Sequence, residues 1–526
     1  VWRVWHIKLS LVLLVNYQDR KKRRMAVSTY KHGVTWKDVA TSIVSPITAD
    51  SGIPVATGAA PVFMADSPAP LNIPRIYHSF EEAVAEMGFS SDFRAYPLCE
   101  VMYNYFVLRN VGPIILNNIL DPNDSSFWGT PVDDPYTFTT PSITVGPNIP
   151  KSSVSVKDEA GTITYVLGTD YVLSYDSKGN LVVTQLPAMA GGNIPLGANV
   201  KIDYTPLDPS LITKVEVIGG VDQTTGKATG IQAVDDVFPA LGIVPGILLT
   251  PGWAQIPEVA AVLASKSDNI NGCFRCTAYV DIDSTAVIKA QDVYAWKQAN
   301  NYVDHRLIDC WPRVAIDDTQ SWLSTQAAAL TEWVDQSNDD IPYESPSNKN
   351  LKMNKTIAGP LDAPVDLFFG KGSADMLNGQ GIVTAINWIG GWKLWGNNTS
   401  VYPSSSDPKD RWISVRRSTD WLGNTIVLTI YQFVDKPGNR RLIDAVIDSL
   451  NIWLNSLVSS GVSLGARVEF RQSENSDADL LNGHYTFHVF EAFPTPAEWI
   501  EFLIEFDITY LQALFVSSQS QTPLAA

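Results

Sequence analysis

Residues 499–510 constrain the fold of this chain more than any other stretch. Ile500, Phe502, Ile504, Phe506, Ile508 and Tyr510 fall at every second position, while Glu501, Glu505, Asp507 and Thr509 lie mostly on the other face. A period of two belongs to a β-strand with one apolar face, so the pattern predicts a single long strand over 499–510. At about 3.3 Å per residue that strand would reach roughly 40 Å. Ordinary strands run to about five or six residues, so this one needs a partner along its length or presents an edge for another chain to join. It is therefore expected either in the middle of a C-terminal sheet or at a contact between subunits.

A chain of 526 residues is too long for one compact core and suggests about three or four domains. An apolar content of 45% with 34 glycines and 33 prolines fits folded domains joined by many turns. The net charge of −17, from 38 basic and 55 acidic residues, argues against a dedicated nucleic-acid surface. Four cysteines are too few for a disulfide framework in a chain this long and fit a reducing compartment. The first 24 residues differ from the rest: an aliphatic, Trp-containing run to Val15 precedes the basic cluster Arg20, Lys21, Lys22, Arg23 and Arg24. The run is short of the ~20 residues of a membrane span, and its charge follows the apolar stretch where a signal peptide carries it in front. Residues 1–24 are accordingly expected to be an extension outside the mature protein, with Met25 as the start.

Residues 25–55 read as an extended N-terminal arm, since Pro46 and Pro54 forbid a long helix and no helical stripe is present. Residues 56–110 read as the first part of an α/β core, with a Ser79-capped helix at 79–88 and a buried strand at 103–109. Residues 111–210 read as an inserted antiparallel β domain. Within it, 117–150 has loop character, and strands are expected at 153–157, 163–167, 171–175, 181–184 and 200–204. Over 211–400 strand-like and helical runs alternate in the manner of βαβ units, with strands at 243–250, 276–280 and 306–309 and helices at 257–267, 285–300 and from Trp322 on. Residues 401–511 form an α+β C-terminal unit whose firmest element is the helix 439–457, with Leu442, Val446, Leu450, Trp453 and Leu457 on one stripe. Residues 412–417 read as a strand or the lead into a helix near Thr419, and 512–526 as a C-terminal arm and tail. The fold class is thus α/β and multidomain: a central parallel or mixed sheet, interrupted by a small antiparallel β domain and followed by an α+β unit with extended terminal arms.

The chemical motifs are weak. Cys273 and Cys276 form a C-x-x-C before a strand rather than at a helix start, and only Cys99 and Cys310 remain to complete a metal set, so inert thiols are expected. Asp304, His305 and Arg306 lack any nucleophile elbow. Gly370, Lys371, Gly372 and Ser373 lack the frame of a phosphate loop. No metal, cofactor or enzymatic activity is expected, and a structural subunit of an assembly is the reading these residues favour.

Seven further groups of residues carry a resemblance. Val217–Asp222, Thr225–Gly230, Val237-Phe238-Pro239 and Leu248–Trp253 resemble the central region of contractile tail sheath proteins of the myophage and R-type pyocin kind. Glu344–Asn348, residues 387–396 with Gly390, Gly391 and Trp395, and Trp412–Arg417 resemble the later landmarks of that family. The resemblance spans roughly residues 56–511 and implies a subunit of stacked hexameric rings around a tail tube, contracting to drive the tube through the host cell envelope. It implies partners in copies of the same chain, the tube protein, and the baseplate and terminator proteins, with no nucleic acid and no membrane insertion. It also implies a place in the virion tail, assembled in the host bacterial cytoplasm. Arms that join a neighbour's sheet would then map to Val34, Trp36, Val39, Ile43 and Ile47 at one end and Ile504, Phe506, Ile508 and Tyr510 at the other. Arg416, Arg417, Arg440 and Arg441 are the basic cluster expected to face the tube. The competing readings are the sheath of a non-phage contractile injection system and, from another class, a soluble carbohydrate-binding protein or enzyme.

Overall fold

The computed structural model describes residues 45–187, 189 and 191–514, which lie in the compact unit beginning at Val44. The expected extension 1–24 and the arm positions Val34, Trp36, Val39 and Ile43 lie outside the described residues.

Six parallel strands form the middle of an eight-stranded sheet, in the order Ile382–Trp388, Leu307–Cys310, Thr277–Asp281, Ile247–Leu249, Pro54–Gly58 and Ile114–Asn118. Antiparallel strands Gly391–Trp395 and Arg75–Tyr77 close its two edges. The central strands are apolar at successive positions because both faces are covered. Val55, Leu248, Ala278, Val280 and Leu307 join one hydrophobic cluster with helix Pro257–Asp268. Their neighbours Ala56, Ile247, Leu249, Tyr279 and Ile308 join a second cluster with helix Leu323–Gln336. The expected α/β core is thus a mixed sheet between two apolar layers.

Within the expected insertion 111–210, Ile114–Asn118 belongs to the central sheet, and residues 132–204 form two three-stranded antiparallel sheets. Val132–Thr137, Asn199–Tyr204 and Ser155–Asp158 make one, and Ser142–Gly146, Leu181–Gln185 and Tyr171–Tyr175 the other. Their own core contains Phe138, Val156, Leu181, Val183 and Ile202. The C-terminal unit comprises helices Ile413–Ile430 and Arg440–Ser459 and the hairpin Gly465–Phe470 with Phe487–Ala492. Its Trp421, Trp453 and Leu454 belong to the same cluster as Val55 and Leu248, so this unit is fused to the sheet through a shared core.

Several elements differ from expectation. Residues 103–109 are helical, continuing helix Pro97–Met102 as a π-helical segment Tyr103–Arg109. A run that is nearly all apolar carries no period to separate strand from helix, and Pro97 at the first turn starts the helix upstream. Residues 117–150 hold two strands where a loop was expected, their alternation masked by Asp, Pro and Ser. Residues 163–167 make only isolated bridges. Strand Pro54–Gly58 begins inside the expected arm, and of the two readings of residues 412–417 the helical one holds, with the helix starting at Ile413 rather than near Thr419. The long strand expected at 499–510 finds no ladder among the described residues: residues 501–507 have no regular structure, and Ile508–Leu514 is a 3-10 turn. An extended segment becomes a strand only when another backbone meets its peptide groups, and none among the described residues does.

The helix Arg440–Ser459 behaves as its stripe predicts, with Asn439 capping it through the amide of Leu442. Trp453 is buried and meets Trp421 with ring centroids 5.7 Å apart. Replacing Trp453 by Ala is expected to cost about 3–5 kcal/mol through the cavity left behind, measured as a lower midpoint in guanidinium unfolding.

Candidate functional site

The N-terminal lead-in is extended and lies along helix Ile413–Ile430. The Ile47 amide donates to Thr429 Oγ1 at 2.9 Å and the Ala49 amide to Thr425 Oγ1 at 3.1 Å. Trp421 Nε1 donates to the Ala49 carbonyl at 2.9 Å, and Arg417 donates to the Ser51 carbonyl at 2.9 Å. Residues 429, 425, 421 and 417 are each one helical step of four apart, about 6 Å along the axis, which two extended residues nearly match at roughly 6.6 Å. A chain with no partner strand therefore satisfies its peptides on side chains of one helix face. Gly52 and Gly246 permit the crossing at its end: a Cβ at Gly52 would stand 2.9 Å from Glu332 Cγ, and one at Gly246 would stand 1.9 Å from the Ser51 carbonyl oxygen.

The same helix is locked from below by buried ion pairs. Arg417 makes a two-pronged contact with Asp335 of helix Leu323–Gln336, at 3.0 and 2.5 Å, and Ser51 Oγ donates to the same carboxylate at 2.9 Å. Burial opposes the charge on Arg417, but the Asp335 carboxylate outweighs it and holds the guanidinium charged. Arg416 pairs with Asp420 at 2.7 Å and Asp410 at 3.2 Å, and Asp420 is shared with Arg306, which also reaches Asp268 at 3.0 Å. One helix thus ties the lead-in, a neighbouring helix and the start of strand Leu307–Cys310 together. Burial pushes Glu332, one turn from Asp335, well above the usual carboxylate range.

The other end of the chain leaves the body at a fixed point. Arg411 is sandwiched between Tyr402 and Trp412, 4.2 and 4.0 Å from their ring centroids, and holds Glu498 at 3.1 Å beside an open groove of about 630 Å³. Beyond Glu498, Trp499, Phe502 and Ile504 are 80%, 83% and 95% exposed, and Phe506, Ile508 and Tyr510 are exposed as well. The hairpin Gly465–Phe470 with Phe487–Ala492 is a sheet of only two strands, so each strand is an edge.

The predicted site residues divide accordingly. Ile504, Phe506, Ile508 and Tyr510 share one exposed segment, and Ile47 is half-exposed at the outer end of the helix-bound lead-in. Arg440 and Arg441 are exposed at the start of their helix, Arg440 bridging to Asp444 at 2.8 Å. Arg416 and Arg417 are a correction: both are buried, and their charges are neutralised by carboxylates of the same chain, so they present no basic surface. Sequence reasoning missed Thr425, Thr429, Asp335 and Ser51; for the two threonines the signal was their four-residue spacing after Arg417 and Trp421.

The C-terminal edge of a parallel sheet is where α/β folds hold ligands. Here it is filled by the chain itself: Asp281, ending its strand, accepts the Ser324 amide at 3.1 Å, and Glu100 accepts the Trp322 amide at 2.8 Å. Burial pushes Asp281 up to about 7 and Glu100 up to about 8. Cys276 and Cys99 are buried with thiols pushed up to about 12, far from the thiolate form, and Cys273 is exposed.

No family model matches the sequence. The chain is 28% identical over 428 residues to the tail sheath protein of Burkholderia phage BcepMu, covering 79% of this chain and 85% of that relative. It is 24% identical over 333 residues to the tail sheath protein of Escherichia phage P2, covering 62% of this chain and 79% of the relative. Its fold is similar to a chain of the PVC sheath complex of an extracellular contractile injection system in the contracted state, with a TM-score of 0.55, 14% identity, and coverage of 92% and 99%. It is also similar to a chain of the anti-feeding prophage baseplate, with a TM-score of 0.52, 14% identity, and coverage of 91% and 100%. The resemblance read from the sequence therefore holds, and the relatives bear the names of structural components rather than of enzymes or sugar-binding proteins.

Two outcomes follow from the buried charges. Replacing Arg417 by Met strands the Asp335 carboxylate and is expected to cost about 3–5 kcal/mol, with faster hydrogen exchange at the Ala49 amide as the lead-in loosens. Because Asp281 and Glu100 bind protons more tightly folded than unfolded, stability is expected to fall as pH rises from about 4 through about 8. Asp281→Asn should flatten that decline in a series of unfolding midpoints.

Proposed function

We propose that this relative of phage tail sheath proteins is the structural subunit of a contractile tail sheath, polymerising as stacked hexameric rings around a tail tube. Shortening of the polymer drives the tube through the host cell envelope, and the baseplate and terminator proteins bound the stack at its ends. The observation that carries this reading is the exposed, alternating segment 499–510 on a chain that also offers an unfilled two-stranded hairpin. Among the described residues the segment has no strand partner and the hairpin offers an edge, which is the condition for strand addition between copies. Main-chain bonds made in this way persist while the bodies rotate, so rings stay joined during contraction. The segment upstream of Ser45 is the second arm, carrying Val34, Trp36, Val39 and Ile43.

Arg440 and Arg441 remain the basic residues offered to the tube, since both are exposed at the helix start. The acidic balance of −17 keeps the outer surface of a many-copy polymer soluble. A phage tail is preferred over a non-phage injection system because the relatives matched along the sequence are phage proteins, whereas the injection-system chains match at the level of fold.

Deleting residues 26–44 tests the arm directly. The helix-bound segment 45–51 is retained, so the body is expected to keep its circular dichroism and unfolding midpoint. Long tubes should fail to form, because several main-chain bonds worth roughly 1 kcal/mol each are lost at every contact. Tubes of normal length and stability in electron micrographs would refute the arm's role.

A further inference from the structure

Lys297 and Asp309 face each other in the interior, both fully enclosed, with Nζ 3.2 Å from Oδ2. Lys297 lies on helix Ala290–Ala299 and Asp309 on strand Leu307–Cys310 of the central sheet. Nζ has two further partners, the carbonyls of Gln380 at 2.9 Å and Gly381 at 3.1 Å. A Cβ at Gly381 would stand 3.0 Å from Nζ and 2.4 Å from the Tyr402 carbonyl oxygen, so the enclosure closes this tightly only around glycine. The proton count decides the state of the pair. Ser400 Oγ lies 2.5 Å from the Tyr302 carbonyl oxygen and 2.8 Å from Asp309 Oδ2. A carbonyl only accepts, so the single hydroxyl proton goes to Tyr302, and the contact with Oδ2 takes its proton from the carboxyl group. An uncharged amine likewise has two hydrogens for the two carbonyls and a lone pair left for Asp309. Burial works in the same sense on both groups, pushing Asp309 above the usual carboxylate range and Lys297 below the usual amine range. Oδ1 of Asp309 has no partner among the described residues, so nothing ties the carboxyl group against turning its carbon to the amine.

We propose that Lys297 and Asp309 condense after folding into an intramolecular isopeptide bond, which fastens helix Ala290–Ala299 covalently to the central sheet. The Nζ lone pair attacks Asp309 Cγ, the N–C bond forms and the Cγ–Oδ2 bond breaks. Oδ2 departs as water with its own proton and one from the amine, and Ser400 holds the oxygen that leaves. Oδ1 becomes the carbonyl of the new amide, and the remaining N–H stays on one of the two backbone carbonyls that held the amine. Nothing is oxidised or reduced, and no co-reactant is needed. Two groups held in contact react as a unimolecular pair, and the exclusion of water removes the solvation that favours separate ions. A buried ion pair would carry the desolvation cost of two charges, which the amide does not. The bond forms within one subunit and is independent of the sheath reading.

Mass spectrometry of the full-length native chain, denatured after folding, provides the test. The intact mass is expected to fall one water short of that of its own amino-acid sequence in most molecules. Trypsin should fail to cut after Lys297 and should release residues 290–306 joined to residues 307–313 as one species. Lys297→Met should carry its full mass. A native chain of full mass, cut cleanly after Lys297, would overturn the proposal and leave an ordinary buried pair. So would a missing water that maps to any other peptide, or one that persists in Lys297→Met. The native measurement needs no variant, so it stays decisive even if Lys297→Met fails to fold. Ser400→Ala keeps both reacting groups, and its linked fraction at a fixed time after refolding should be several-fold lower than that of the native chain. An equal fraction would overturn the role given to Ser400.

Discussion

The Arg417–Asp335 pair is the contact on which the arrangement of this chain depends. It joins two helices through residues 82 positions apart in sequence, and the Arg417 Nη2 that contacts Asp335 also donates to the Ser51 carbonyl, where the N-terminal lead-in turns into the first strand of the central sheet. Buried ion pairs contribute little net stability compared with apolar packing, and their value lies in geometry, since either charge alone would be costly. A two-pronged guanidinium accepts few orientations. With Arg416, Asp420 and Arg306 beside it, helix Ile413–Ile430 is held in one rotation about its axis. That rotation places Trp421, Thr425 and Thr429 in a row for the lead-in to follow.

Trp421 and Trp453 belong to the same apolar cluster as Val55 and Leu248, so the C-terminal helices and hairpin share one core with the central sheet. The antiparallel sheets of residues 132–204 have a separate core. The C-terminal edge of the parallel sheet is also drawn into structure: Glu100 and Asp281 are enclosed by the Trp322–Ser324 backbone.

What could be read from the sequence follows from where periodicity survives. The alternating runs of the central sheet, the stripe through Leu450 and Trp453, and the strands around Tyr171 and Leu181 each have one dominant environment, and each was legible. Residues 103–109 were not, because seven positions without a polar face fit a buried strand and a buried helix alike. Arg416 and Arg417 were misread for a different reason. Two adjacent arginines look like a surface patch until the fold brings Asp335 to Arg417 from 82 residues away; Asp420, four residues on from Arg416, was the one local sign of pairing.

The 499–510 segment shows what a pattern in one chain can and cannot specify. Its alternation states that some backbone must lie beside it, and that one of its faces must be covered; it says nothing about whose backbone that is. Among the described residues the demand goes unmet, while the lead-in, with fewer large apolar side chains, meets its own demand on Thr425 and Thr429. Strong alternation without an internal partner is a cost to a solitary subunit, which must keep Phe502, Ile504 and Phe506 in water. In an assembly of the proposed kind that cost would be recovered on association, so the same residues that make the free chain prone to join others would supply the driving force for joining.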